Sequence, residues 1–311
     1  MLVSDIDGTL LSSRSELSPA VQAAVRRARQ AGIIVTIATG RRFATAEQLL
    51  RDLDLYGPLR PKPIRSAPVE AALQSPPIVL ETGAIVSSAD GRDVLYRDPL
   101  PLAGGRQALR ILVEAGLQPV AYEDRVIEQR LYTGPAEYDS PSAAQFLSRN
   151  PELVIRMPYE RLVTEVEAMH IVVVDMYARV EPVLSRIELA DCRTLISYSP
   201  NLDSCFLEVF HGDCSKGRAV EWLASYFGFG LEDVVCIGDN WNDVEMLSMA
   251  GCGITVANAE PGVLPYGRRT TVSNDEGAVA VVLRQMIDGE EPGLPNPAYV
   301  PADDTDLGLA E

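Results

Sequence analysis

Two aspartates one residue apart, Asp5 and Asp7, close a short apolar opening segment and lead straight into Gly8-Thr9. If residues 2–7 form a strand, alternate side chains share a face, so both carboxylates point toward whatever sits at its carboxyl end. Gly8 permits a tight turn, and the Thr9 hydroxyl can tie it. Such a pair sets a nucleophile beside a proton donor. A carboxylate can attack phosphorus when a cation screens the repulsion between anions and a second acid protonates the leaving oxygen. Asp5 and Asp7 fit those two roles. A solvated Asp-Gly turn would explain the hexapeptide as well, so the rest of the chain decides.

Ser18-Pro19 predicts a helix start, with Val21, Val25 and Ala28 on one face and Gly32 at the end. The run Ile33-Ile34-Val35-Thr36-Ile37-Ala38 reads as a strand buried on both faces of a parallel sheet. Strand, helix and strand make a βαβ unit. Ligands bind beyond the carboxyl ends of such strands, where Asp5 and Thr39-Gly40-Arg41 would lie. A proline-rich connection follows over residues 56–77, then a strand at 78–80. From Gly83 the pattern changes to a hairpin around Ala89-Asp90-Gly91, a helix over 103–115 and a strong strand over 170–177. The βα pattern resumes with a strand over 205–210, a helix from Ser215, a strand over 234–237 and a helix after Trp241. The expected architecture is α/β: a Rossmann-like doubly wound parallel-sheet core, residues 1–83 and 205–287, with an inserted α/β domain over 84–204 and a tail over 288–311.

Three further signals lie at expected strand ends or helix starts. In Thr39-Gly40-Arg41 a hydroxyl and backbone amides can hold phosphoryl oxygens, although a capped turn reads the same way. In Ser215-Lys216-Gly217 the lysine can face a phosphoryl group from a helix N-terminus. Lys62 and Lys216 are the chain's two lysines, which weakens the reading of Lys216 as surface decoration. In Gly238-Asp239-Asn240-Trp241-Asn242-Asp243, carboxylates cluster after an apolar strand. A helix cap accounts for one acid there, but not for the Gly-Asp step before it. Magnesium takes about six oxygens, and Asp5, Asp239, the backbone carbonyl of Asp7 and a phosphate oxygen would serve, with Asp243 binding directly or through another ligand.

The net charge of −17 disfavours a nucleic-acid backbone as partner. Seven of the acids fall in residues 288–311, which hold four prolines and no base, a composition that predicts a disordered tail. Five scattered cysteines without a Cys-x-x-Cys pair indicate reduced thiols rather than disulfides or zinc. No apolar run approaches a membrane span and no basic-then-apolar leader opens the chain, so a cytoplasmic location is expected.

Taken together and in this order, Asp5-x-Asp7, Thr39, Lys216 and the Gly238–Asp243 segment resemble the four motifs of the haloacid dehalogenase (HAD) superfamily. With an insertion between the second and third motifs, the chain looks like the Cof-type phosphatases with an α/β type IIB cap. The resemblance implies Asp5 as nucleophile, Asp7 as general acid/base, and Thr39, Gly40 and Lys216 as phosphate ligands. It further implies Mg2+ held by Asp5, Asp7, Asp239 and Asp243. Arg41, Thr82, His211, Asn242 and Asn258 are candidate substrate contacts. The substrate class implied is a small phosphorylated metabolite, with a dedicated sucrose-phosphate or mannosylphosphoglycerate type of phosphatase as the alternative. A binding or regulatory protein without turnover is the reading from another class. Thr82-Gly83 departs from the family's usual Asn-Gly, and Ser4 stands where an apolar residue is common.

Overall fold

The computed structural model describes residues 1–57, 75–187, 192–199 and 204–300. Most of the proline-rich connection, residues 58–74, lies outside the described residues. The chain forms two compact units, Met1–Tyr96 together with the residues from Ser215 onward, and Arg97–Cys214.

The first unit begins with β1 (Leu2–Ser4), α1 (Pro19–Gln30), β2 (Val35–Ile37), α2 (Phe43–Asp52), β3 (Ile78–Leu80), β4 (Ile85–Ser87) and β5 (Val94–Arg97). The Ser18 hydroxyl accepts from the Val21 amide, Pro19 opens α1, and Val21, Val25 and Ala28 are buried, as the periodicity predicts.

The second unit contains α3 (Leu102–Glu114), β6 (Pro119–Glu123), β7 (Leu131–Thr133), α4 (Pro141–Leu147), β8 (Val154–Arg156), α5 (Tyr159–Glu165), β9 (Ala168–Asp175), β10 (Cys192–Ser199) and β11 (Ser204–His211). Its sheet runs β10-β11-β9-β6-β7-β8, antiparallel except for β7–β8. Every residue of β9 is buried, and Ile171 and Val173 pack with Leu109 and Leu112 of α3 into the unit's main core.

The first unit then continues with α6 (Lys216–Phe227), β12 (Val235–Gly238), α7 (Val244–Met249), β13 (Cys252–Thr255), β14 (Arg269–Thr270), α8 (Ala278–Asp288) and β15 (Leu294–Pro295). Its sheet is ordered β15-β14-β13-β12-β1-β2, parallel except at β15. A parallel bridge between Ala38 and Val79 brings β3 beside β2. Strand β1 sits between β2 and β12 in register, Ser4 opposite Ile37 on one side and Ile237 on the other. The loops after these three strands therefore converge at one end of the sheet, where the strand order reverses. Val3, Cys236, Val220, Leu223 and Leu247 fill the core between the sheet and α6 and α7.

Two expectations about extent need correction. The inserted unit spans 97–214 rather than 84–204. Strand β4 pairs with β3, which keeps the hairpin in the first unit, whereas β11 pairs with β9 and β10, which keeps residues 204–211 in the second. The tail is not unstructured from Asp288: β15 pairs with β14, and the Asn296 amide donates to the carbonyls of Leu264 and Gly267, both at 2.7 Å. Hydrogen bonds order this segment where apolar burial does not, since Leu294 is 65% exposed. Replacing Asn296→Ala strands two carbonyls and is expected to cost about 1–3 kcal/mol. Thermal denaturation reads this as a lower melting temperature, and an unchanged value would show that the segment contributes nothing.

Candidate active site

Lys216 is the first residue of α6, a helix capped by the Ser215 hydroxyl, which accepts from the Arg218 amide at 3.1 Å. Its side chain has no exposure at all, and its Nζ donates to Asp5 Oδ1 and to Asp243 Oδ1, each at 2.6 Å. Asp5 follows the end of β1, and Asp243 follows β12 by one short loop. The other Asp243 oxygen accepts from the amides of Asp239 and Asn240, both at 3.0 Å, which folds the 239–243 loop back on itself. Asp239 in turn accepts from the Thr9 hydroxyl at 2.6 Å, joining this loop to the turn after β1.

The glycines of both motifs serve close approach. Gly8 has φ +84°, and a Cβ there would overlap the Asp239 carboxylate. A Cβ on Gly238 would lie 2.6 Å from Asp243 Cγ. The Gly-Asp step that a helix cap left unexplained is thus the space into which Asp243 folds.

Burial governs the electrostatics. It pushes the Asp5 carboxyl well above the ordinary carboxylate range; Lys216 opposes this, and Asp243 and Asp239 add to it. Asp239 is pushed up to about 7, first by burial and then by Asp243. Burial pulls Lys216 down, but Asp243 and Asp5 more than offset it, so its value is raised.

Carboxylate oxygens of Asp5, Asp239 and Asp243 lie within 4.8 Å of one another, and this is the one such group among the described residues. Asp5 and Asp243 share the single Lys216 ammonium and Asp239 adds a third carboxyl nearby, so full ionisation would leave two negative charges in excess in a buried space. An all-oxygen donor set with that excess fits a hard divalent cation such as Mg2+.

The Asp7 side chain stands apart from this group. It is 55% exposed and paired through both oxygens with Arg41, from Nε at 2.7 Å and from Nη2 at 2.5 Å. The Asp7 carboxylate is thus held by Arg41 and does not belong to the group of acids around Lys216. The Thr39 hydroxyl, buried at the turn after β2, accepts from the Arg41 amide at 3.1 Å. Over Gly40 stand Thr82 and Asn242: a Cβ on Gly40 would lie 3.4 Å from Thr82 Oγ1 and 3.7 Å from Asn242 Nδ2. The Asn242 carbonyl oxygen is buried without a hydrogen-bond partner.

Two other candidates have different work. Asn258 donates to the Gly8 carbonyl and accepts from the Asn274 amide, both at 2.8 Å, so its amide braces the turn after β1. His211 belongs to the second unit, where its Nδ1 lies 3.2 Å from the Asp213 amide and 3.3 Å from Asp98, a turn contact. Sequence reading missed two links, Thr9 to Asp239 and Arg41 to Asp7. The second had a signal, since β1 and β2 are neighbours in register and both residues lie just past their ends.

Loops at the carboxyl ends of a parallel sheet, carrying buried acids around one lysine, place the chain among α/β enzymes that work from strand-end carboxylates. Residues 2–283 match the haloacid dehalogenase-like hydrolase family, and the chain belongs to that family. It is 25% identical over 313 residues to the 5-amino-6-(5-phospho-D-ribitylamino)uracil phosphatase YwtE of Bacillus subtilis, covering 92% of this chain and 97% of that protein. It is 25% identical over 268 residues to the pyridoxal phosphate phosphatase YbhA of Escherichia coli, covering 83% and 88%. The fold matches that of the HAD subclass IIB sugar phosphatase BT4131 with a TM-score of 0.69 at 20% identity, over 92% of this chain and 98% of that one. The resemblance to Cof-type members is borne out, and the chain is a phosphatase of this family. Among the described residues no helix is long and apolar enough to cross a membrane.

A carboxyl with a raised folded value, such as Asp239, contributes stability that is complete below its unfolded value near 3.8 and is lost as pH rises through about 7. The metal-free protein should lose this contribution across that window. A cation that replaces the protons should then raise the melting temperature more at pH 8 than at pH 5. Thermal denaturation in EDTA and in excess MgCl2 at the two pH values checks this; an equal gain at both would refute cation binding at the cluster.

Proposed function

We propose that this phosphatase is a Mg2+-dependent phosphomonoesterase that hydrolyses a small phosphorylated metabolite through an aspartyl-phosphate on Asp5. The observation that carries the reading is the buried Lys216 ammonium held between Asp5 and Asp243, with Asp239 completing a cation-sized ring of oxygens. When bound, the cation would neutralise the excess charge of the cluster and draw electron density from the phosphoryl oxygens.

Asp5 attacks phosphorus as the ester bond breaks, and Asp7 gives its proton to the departing oxygen. Water then attacks phosphorus, losing a proton to Asp7, and the bond to Asp5 breaks to release inorganic phosphate. Lys216 stabilises the phosphoryl oxygens and holds Asp5 in place, while the Thr39 hydroxyl and the Gly40 amide receive the remaining oxygens. Thr82 and Asn242, beside Gly40, are proposed as contacts to the rest of the substrate. Residues 97–214 are proposed as the family's inserted cap, and the core alone supplies the chemistry. That the named relatives act on a phosphoribitylamino compound and on pyridoxal phosphate supports a small-metabolite substrate, one to be identified by a panel of such esters.

Asp5→Asn removes the nucleophile and is expected to lower kcat by about 10³-fold or more with a generic aryl phosphate and Mg2+, with the circular dichroism spectrum kept. Turnover close to wild type in that variant would rule out a covalent route. A protein inactive on every ester of the panel would favour the binding or regulatory reading.

A further inference from the structure

We infer that Arg41 is the positioning residue for Asp7, fixing the carboxyl that gives and takes the proton; this rests on the aspartyl-phosphate reading above. An exposed carboxylate on a loop samples its rotamers freely, and Asp7 is more than half exposed. Arg41 removes that freedom by gripping both Asp7 oxygens in the planar fork that only arginine offers. Arg41 is itself anchored. Its Nη1 donates to the Thr45 carbonyl at 3.1 Å, and its backbone amide donates to the Thr39 hydroxyl at 3.1 Å. The Nε–Nη2 edge of the guanidinium is filled by Asp7, and Nη1 is held by the Thr45 carbonyl, so all three nitrogens are engaged within the chain. A purely structural ion pair at this exposure contributes about 0–1 kcal/mol, little reason by itself to tie the loops after β1 and β2 together.

The chemistry gives the pair a reason. As the bond from phosphorus to Asp5 forms and the ester bond breaks, the leaving oxygen takes the proton of Asp7, which becomes a carboxylate. As water bonds to phosphorus and the bond to Asp5 breaks, Asp7 takes a proton from the water. One carboxyl must reach the same place twice, and a displacement of about 1 Å can cost roughly 10²-fold in rate.

The test compares kcat/KM of the full-length protein with Mg2+ on two generic esters, phenyl phosphate and dinitrophenyl phosphate. Phenoxide needs the proton to leave well, whereas dinitrophenoxide leaves as a stable anion. Arg41→Met should lower kcat/KM at least about ten-fold more on phenyl than on dinitrophenyl phosphate, the same leaving-group pattern as Asp7→Asn. Arg41→Lys, which keeps the charge but not the fork, should fall between. In the Asp7→Asn background, Arg41→Met should add no more than about two-fold, because a residue acting through Asp7 has nothing left to position. An equal loss on both esters, a loss confined to KM, or a full additional loss in the double variant overturns the inference and makes Arg41 a phosphate ligand or a structural residue. Wild-type inactivity on both esters overturns the aspartyl-phosphate reading and this inference with it, an outcome distinguishable from the loss of the inference alone.

Discussion

A lysine with no exposure, bonded to one carboxylate from the start of the chain and to another shortly after it in sequence, is the constraint on which the rest of the first unit depends. Lys216 is 211 residues from Asp5 and 27 from Asp243 in sequence. Removing one partner of a buried charge pair leaves the other charge uncompensated, at a cost of about 3–5 kcal/mol. The β1 end, the start of α6 and the loop after β12 must therefore form together. The parallel register of β1 with β12 supplies the geometry, and the Ser215 cap fixes the direction in which Lys216 enters. A cluster that also holds Asp239 is over-supplied with negative charge, which ties its stability to whatever cation or proton it receives.

The sheet made most of this site legible in advance. In a parallel sheet the chemistry sits past the carboxyl ends of strands, so short motifs after Ser4, Ala38 and Ile237 could be placed side by side without knowing the fold in detail. Asp5, Lys216, Asp239 and Asp243 come together, and Thr39 lies at the turn after β2. A polar side chain near a motif, such as Asn258 or Arg41, gives no hint of its partner. Tertiary structure alone reveals that the Asn258 amide is engaged by Gly8 and Asn274, and the Arg41 fork by Asp7.

Extent was less legible than chemistry. An apolar alternating segment such as residues 204–211 predicts a strand but not the sheet it joins, and here its antiparallel partners β9 and β10 claim it. The segment after Asp288 misled for the opposite reason: acids and prolines offer little apolar surface to bury. Two backbone pairs with β14 and one asparagine holding two carbonyls order the part of it around residues 294–296, where Leu294 stays exposed.

The turn at Glu81-Thr82 shows how much conformational cost the site imposes on its surroundings. Both residues have positive φ, +50° and +57°, a region costly for any side chain and most so for a β-branched one such as Thr82. Strain of this kind amounts to about 1–3 kcal/mol per residue and persists where surrounding bonds over-determine it. Here the Glu81 amide donates to the Arg41 carbonyl at 3.1 Å and the Thr82 amide to the Thr39 carbonyl at 3.0 Å, so the strained turn is strapped to the turn after β2. Arg41 is the common member. Its carbonyl holds Glu81, its amide meets the Thr39 hydroxyl, and its guanidinium holds Asp7 and the Thr45 carbonyl. A distortion at Glu81 therefore passes through Arg41 to the Asp7 carboxyl, and one at Thr82 passes through Thr39 first. An asparagine at position 82, the residue the family usually places before this glycine, would adopt the left-handed conformation at lower cost and loosen the need for those two straps.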